Sequence, residues 1–401
     1  MIRKILITKD KNYIWTWELE DDEVVEIHCS PQEKLSKQKP VLNSIYIGKV
    51  QNIVPNIGAA FIDIGGVNCY YDISQAKHAF FTHKIGKQPL CIGDELVVQI
   101  TREAAKTKAP TVSSNISFTG RYAVLTSGNT RIGASAKIPK LQREELKARL
   151  RDLRNEQFGI ILRTNAKDAA FENVLEEIQN LQKRYQHLKE TAVHRTCYSC
   201  LEAAEKPYIA DLKNVYFNGL QEIVLEDADL FDEVKEYFEI SQPEYLPLLR
   251  RYDEKSFSLS SLYNLRKVLE RAVNERVWLK HGGYLIIQPT EGMTVIDVNS
   301  GKDVSKKNTT EACLKINLEA AEEIARQMRL RNLSGIILVD FINLDEEKAM
   351  QTLLKEFRRF LSKDPIQATL IDVTGLQLVE VTRKKVRKSL YEYYQKEYTH
   401  F

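Results

Sequence analysis

The sequence predicts a multidomain protein of mixed α/β and β architecture, and three observations carry that reading. At 401 residues the chain is longer than one ordinary hydrophobic core supports. Residues 40–114 hold short β-like runs at close spacing, broken by Gly, Pro and Asn, which suggests a small β-barrel. From residue 274 onward apolar strand-like runs alternate with helical patterns, which suggests an α/β layer.

Residues 1–39 are β-like. MIRKILITKD reads as a short strand rather than a signal peptide, and YIWTWELEDDEVVEIHC alternates apolar and polar positions. In 40–114 the clearest strands are NSIYIGKVQNIV, AAFIDIG and DELVVQITRE. Residues 115–208 mix strands such as FGIILRT with a long charged helix expected around 169–205. Residues 209–273 hold VYFNGLQEIVLED and then acidic helical stretches. The last part, 274–401, supplies the strands YLIIQ, MTVIDVN, GIILVDF and ATLIDVT, with helices near 309–331 and 345–361. The first of these helices has Asn308 and Glu311 at capping-box spacing and an apolar stripe of Leu314, Leu318, Ala321, Ala325 and Met328. Arg326, Arg329 and Arg331 at its C-terminal end favour the helix dipole, with RNA contact the minor alternative.

Composition excludes several classes. Hydrophobic residues make up 43% and charged residues 28%, as in globular proteins, and no apolar run is long enough to span a bilayer. A net charge of +3 does not mark a nucleic-acid binder, so any RNA surface must come from local clustering. Six cysteines in this length argue against a disulfide framework and for a reducing compartment. Cys197 and Cys200 form a CxxC without a second ligand pair nearby, so they read as packed or solvent-side thiols on a helix, not a zinc ribbon.

The densest chemistry lies in two strand endings. In MTVIDVNSGK, Asp297 and Asn299 stand two apart on a strand and share a face. In GIILVDF, Asp340 follows the run IILV, which reads as a buried central strand. An acid after such a run sits at the C-terminal sheet edge, where α/β domains place ligands. Two carboxylates and an amide are hard oxygen ligands, too few for Ca²⁺ and typical of Mg²⁺, which keeps waters and takes further contacts from phosphate. The competing reading is that each acid caps a turn. The seven histidines show no pairing pattern, and His281, before Gly282-Gly283, reads as a loop residue.

GGYLIIQPTEGMTVIDVNSGK followed by NLEAAEEIARQMRLRNLSGIILVDFINL resembles the catalytic core of the ribonuclease E/G family. The resemblance covers nearly the whole chain and implies an endoribonuclease that uses Mg²⁺ on single-stranded, A/U-rich RNA in rRNA and mRNA processing and decay. It implies that Asp297 and Asp340 bind the metal and that Asn299 orients the first carboxylate or the scissile phosphate. The implied architecture is an RNase H-like subdomain split between 1–39 and 209–273, without its own active site, so that Asp227 and Asp229 are solvated surface. Inserted in it are an S1 (OB-type) barrel at 40–114 and a 5′-sensor at 115–208, and a DNase I-like domain follows at 274–401. In the barrel, Phe61 and Tyr70 match stacking positions and Lys108 a basic contact. Without the family, Phe61 reads as core and Tyr70 and Lys108 as surface. In the sensor, Arg163 and Thr164 match the residues that hold a 5′-monophosphate, with Gly120 and Val124 as backbone companions. A guanidinium fork beside a hydroxyl suits a terminal phosphate.

The chain departs from the family pattern in two places. It ends at RKKVRKSLYEYYQKEYTHF without a Cys-rich zinc link, so a homo-oligomer is expected only without that link, and no zinc is expected. A sensor arginine near GASAKI is replaced by Ala136, with Lys137 beside it, which predicts weakened 5′-end sensing. The alternatives are a non-catalytic S1-type RNA-binding protein and a Mg²⁺-dependent DNA nuclease. The expected compartment is bacterial cytoplasm, or plastid stroma for an organelle-encoded chain.

Overall fold

The computed structural model describes residues 2–10, 13–32, 41–104, 109–153, 155–214, 219–301 and 310–398. The chain forms two compact units, one of residues 1–32 with 217–401 and the other of 33–216.

In the first unit the N-terminal run makes three antiparallel strands, Arg3–Asp10, Tyr13–Glu20 and Glu23–Pro31. The alternation read in YIWTWELE buries Trp15, Trp17 and Leu19 against Leu265 and Leu269 of the helix Leu265–Val273. Strands Leu220–Leu225 and Leu249–Arg251 extend this sheet in parallel beyond Arg3–Asp10, giving five strands. Asp227 is not simply solvated, because it caps the helix Ala228–Ser241 by accepting from the Leu230 amide and pairs with Lys9 at 2.9 Å. Asp229 is exposed as expected.

A second sheet in this unit has six strands, ordered Arg276–Trp278, Tyr284–Pro289, Met293–Asn299, Gly335–Asp340, Val379–Arg383 and Ala368–Val373. Only Met293–Asn299 and Gly335–Asp340 run parallel, joined through the helix Thr310–Leu330, and the other pairings are antiparallel. Strict alternation is therefore confined to one crossover. Thr310–Leu330 and Glu347–Leu361 cover one face of the sheet, where Ile287, Ile296, Ile337, Val339 and Val381 meet Ile324, Met328, Leu353 and Phe357.

The other face is not covered in this way, which corrects the reading of IILV as a buried run. Ile337 and Val339 are buried, while Ile336 is 49% exposed and Leu338 half-buried. The helix stripe is also shifted. Leu314, Leu318 and Ala325 are only partly buried, while Asn317, Ala320 and Ile324 are fully buried beside Ala321 and Met328. Asn308 lies outside the described residues. The three arginines are tied into the protein. Arg326 pairs with Glu323 at 2.7 Å, and Arg331 is buried and bonded to Gln327. Arg329 bonds Glu26 and Glu20 and lies 3.7 Å from Glu18. Burial opposes the charge on Glu26, but the His28 hydrogen bond and the Arg329 charge outweigh it and hold the carboxyl down to about 2. Glu18, Glu26 and His28 form the one cluster of three metal-capable side chains found among the described residues, and Arg329 already occupies it as the counter-charge.

In the second unit, five strands close a barrel. They are Ile45–Val54, Ala59–Asp63, Asn68–Asp72, Thr111–Ser113 and Glu95–Arg102, the last returning to Ile45–Val54. Ile62, Cys69, Tyr71, Leu96 and Val98 fill its interior. A separate four-stranded sheet, Ser117–Thr119, Ala123–Thr126, Gly159–Leu162 and Ile132–Ala134, packs on the helix Phe171–Ala192. That helix buries Val174, Ile178, Leu181, Tyr185 and Leu188 at helical spacing and ends thirteen residues short of the sequence-based limit. Cys197 and Cys200 are consequently not helical. Tyr198 between them takes φ +70°, and Cys200 starts a strand, Cys200–Glu202, paired with Tyr46. Burial pushes the Cys197 thiol up to about 11 and raises that of Cys200 as well. No described helix is long and apolar enough to cross a membrane.

Candidate active site

Asp297 and Asp340 are backbone partners on the one parallel strand pair of the six-stranded sheet, so both side chains leave the same face at the C-terminal ends of their strands. Adjacent strands lie about 4.8 Å apart, close enough for two carboxylates to share one cation. Asn299, two residues on, is on that face too, and its Nδ2 donates to Asp297 Oδ2 at 2.8 Å. That bond fixes one oxygen of Asp297 and leaves the other available. Both acids are exposed, on the face opposite the covering helices. All three residues predicted for the metal site are brought together.

Two local devices hold them. Gly283 approaches so closely that a Cβ there would lie 2.8 Å from the Asn299 carbonyl oxygen. Gly301 takes φ +72°, and a Cβ on it would collide with the Gly282 carbonyl. His281 is an exposed loop residue whose Nδ1 lies 2.8 Å from Glu319 Oε2. After Asp340 the chain is clamped by Asn317, fully buried in Thr310–Leu330, which donates to the Ile342 carbonyl at 2.7 Å and accepts from the Ile342 amide at 3.0 Å. Sequence reasoning missed Asn317. The available signal was an amide at helical spacing with Leu314 and Ala321 of the expected apolar stripe.

A sequence profile of the Ribonuclease E/G family matches residues 117–386. Ribonuclease E of Synechocystis sp. is 34% identical over 88% of this chain and 53% of its own length. Ribonuclease G of Escherichia coli strain K12 is 30% identical over 91% of this chain and 76% of its own.

The chain belongs to the ribonuclease E/G family. The Ribonuclease E/G-like protein of Porphyra purpurea is also 30% identical, over 91% of this chain and 73% of its own. The chain spans about half the length of the ribonuclease E relatives of Synechocystis and Nostoc, 53% and 52%.

In the second unit, Phe61 and Tyr70 are direct cross-strand partners on the barrel and both are half-buried. Their neighbours Ala60, Ile62, Cys69 and Tyr71 point into the core. Phe61 is therefore not a core residue, because strand alternation puts it on the outer face with Tyr70. Lys108 lies outside the described residues.

In the four-stranded sheet, Arg163 Nη1 donates to the Gly120 carbonyl at 2.5 Å, and Thr164 Oγ1 is 2.9 Å from Ser135 Oγ. Val124 lies on the neighbouring strand, opposite Ile161. Burial lowers the pKa of Arg163 and the nearby Glu177 carboxylate opposes that shift. Glu177, unnoticed in the sequence, accepts from the amides of Arg121, Tyr122 and Ala123 at 2.7 to 2.9 Å. A Cβ on Gly120 would run into that carboxylate, so any side chain there would push Glu177 away from these amides. Ala136 and Lys137 are exposed one and two residues beyond Ser135.

Proposed function

We propose that this chain is a divalent-metal-dependent endoribonuclease acting on single-stranded RNA. The observation that carries the proposal is the pairing of Asp297 with Asp340 at adjacent strand ends, with Asn299 bonded to the first, in a member of this family. The donor set fits Mg²⁺: exposed carboxylate oxygens from two neighbouring strands, with open positions for water and phosphate. When bound, the ion supplies Lewis acidity toward the phosphodiester and an acidified water. Asp297 and Asp340 would hold it, and the Asn299 amide keeps Asp297 in one orientation. Hydrolysis that breaks the P–O3′ bond would leave a 5′-phosphate and a 3′-hydroxyl, and would need neither a histidine pair nor the 2′-hydroxyl.

We read Phe61 and Tyr70, with Lys108, as a single-strand stacking surface on an S1-type barrel. Gly120, Val124, Arg163 and Thr164 are read as a 5′-monophosphate sensor that stimulates cleavage, weakened by alanine at position 136. The five-stranded sheet, three antiparallel strands followed by two parallel ones, supports an RNase H-like assignment, and the six-stranded sheet is read as DNase I-like. Relatives in Synechocystis and Porphyra are consistent with a bacterial or plastid setting. A/U-rich transcripts are read as the substrates from the family resemblance alone.

The test is cleavage of matched single-stranded RNA and DNA with Mg²⁺ and with excess EDTA. The expected result is internal cuts in RNA alone, abolished by EDTA. Binding without cuts would instead favour an RNA-binding module, and equal cutting of DNA a general nuclease.

A further inference from the structure

The catalytic face continues past the acids into an exposed aromatic group that none of the assigned roles uses. In register, Asn299 stands opposite Tyr284, and Tyr284 opposite Trp278. Cross-strand partners share a face, so Trp278 and Tyr284 lie on the side that carries Asp297, Asn299 and Asp340. They are one and two strands from Asn299, roughly 5 and 10 Å across the sheet. Their ring centroids are 5.3 Å apart with planes tilted by 59°. The Arg276 guanidinium lies 4.7 Å from the Tyr284 centroid and 5.7 Å from that of Trp278. Trp278 is 65% exposed, whereas the other two tryptophans, Trp15 and Trp17, are 5% and 3% exposed.

An aromatic ring held open in this way loses the burial that normally keeps tryptophan inside. A cation beside the rings, next to a site for phosphodiester chemistry, favours a nucleotide as the covering group. Aromatic faces take bases whatever their identity, and a guanidinium takes the accompanying phosphate. Isoleucine or leucine at these positions would have suited an apolar protein partner as well, but would leave Arg276 without a role.

We propose that Trp278, with Tyr284 and Arg276, forms a base-stacking platform for the nucleotide flanking the cleaved bond. The proposal rests on the endoribonuclease reading of the acids and deepens it. The platform seats the RNA strand so that the scissile phosphate reaches Asp297 and Asp340.

The exposure of Trp278 provides a direct readout. The full-length protein is titrated with a single-stranded RNA oligonucleotide in EDTA, while tryptophan emission and oligonucleotide anisotropy are followed together. Stacking should quench the emission with the same midpoint as the anisotropy, and Trp278→Phe should remove the quench while binding persists. With Mg²⁺, Trp278→Ala should raise KM about ten- to a hundredfold with a smaller change in kcat. Trp278→Phe, which keeps a ring, should recover most of that loss. An abasic residue beside the cleaved bond should cost the wild type a similar factor and cost Trp278→Ala little more. Anisotropy rising without any quench overturns the platform, as does an equal abasic penalty in wild type and Trp278→Ala. Emission that depends on protein concentration but not on RNA also overturns it, in favour of a second copy on this face. If the wild type cuts no RNA, the nuclease reading fails by itself, and the EDTA titration still decides whether Trp278 meets RNA.

Discussion

Arg163 shows how much a single side chain can be asked to do. Its guanidinium is committed in part to the Gly120 carbonyl, and Glu177 ties down the three amides that follow Gly120. Arg163 and Glu177 thus both bind the turn that begins at Gly120, and position 136 carries no arginine. Lysine at 137 is a point charge and does not replace a bidentate fork. A charge-assisted contact is worth about 1.5–3 kcal/mol, so the 5′-monophosphate preference should be real but reduced. Arg163→Ala should abolish the rate difference between 5′-monophosphate and 5′-hydroxyl versions of one oligonucleotide, leaving the 5′-hydroxyl rate nearly unchanged. Initial rates on both substrates measure this, and equal slowing of the two would make Arg163 a structural or general RNA contact.

Among the elements, the helix Thr310–Leu330 matters for more than its packing. Asn317 gives both halves of its amide to Ile342, two residues past Asp340. A buried amide clamp of this kind costs roughly 1–3 kcal/mol when one partner is left unsatisfied. Asn317→Ala should lower the melting temperature moderately. It should also lower kcat at saturating Mg²⁺ and raise the Mg²⁺ concentration needed for half-maximal cleavage, because Asp340 is then held less firmly. Calorimetry and a Mg²⁺ titration check the two effects, and a change in melting temperature alone would limit Asn317 to stability.

The sequence made four strands of this sheet legible because aliphatic, largely β-branched residues dominate them. It did not reveal Arg276–Trp278, which has three residues. It also did not reveal Val379–Arg383, whose last residue is a buried arginine bonded to Asp364 at 2.7 Å. The CxxC reads as helical in the sequence because the helical composition of 171–192 continues past Ala192, where the helix ends. The stripe on Thr310–Leu330 shifted because the buried face includes Asn317 and Gln327, which hydropathy assigns to solvent. The residues read as metal ligands stood out because Asp297 and Asn299 share a face within one strand and Asp340 ends another. Trp278 was not, because its meaning depends on register across three strands.

For the molecule as a whole, the chain lays down three strands, forms a separate unit of residues 33–216, then returns to finish the first sheet and build the second. That order separates the residues read as RNA-holding, Phe61, Tyr70 and Arg163, from the acids in chain position and in compact unit. Binding and chemistry should therefore be separable by mutation. The central claim is that Asp297 and Asp340 together hold the catalytic metal. Its most direct test is single-turnover cleavage at saturating RNA across a Mg²⁺ series, for wild type, Asp297→Asn and Asp340→Asn, with RNA affinity measured in parallel. Each variant should lose about a thousandfold or more in rate, equivalent to several kcal/mol, while binding RNA almost as well as wild type. Near-wild-type cleavage by either variant, or wild-type cleavage that persists in excess EDTA, would contradict it.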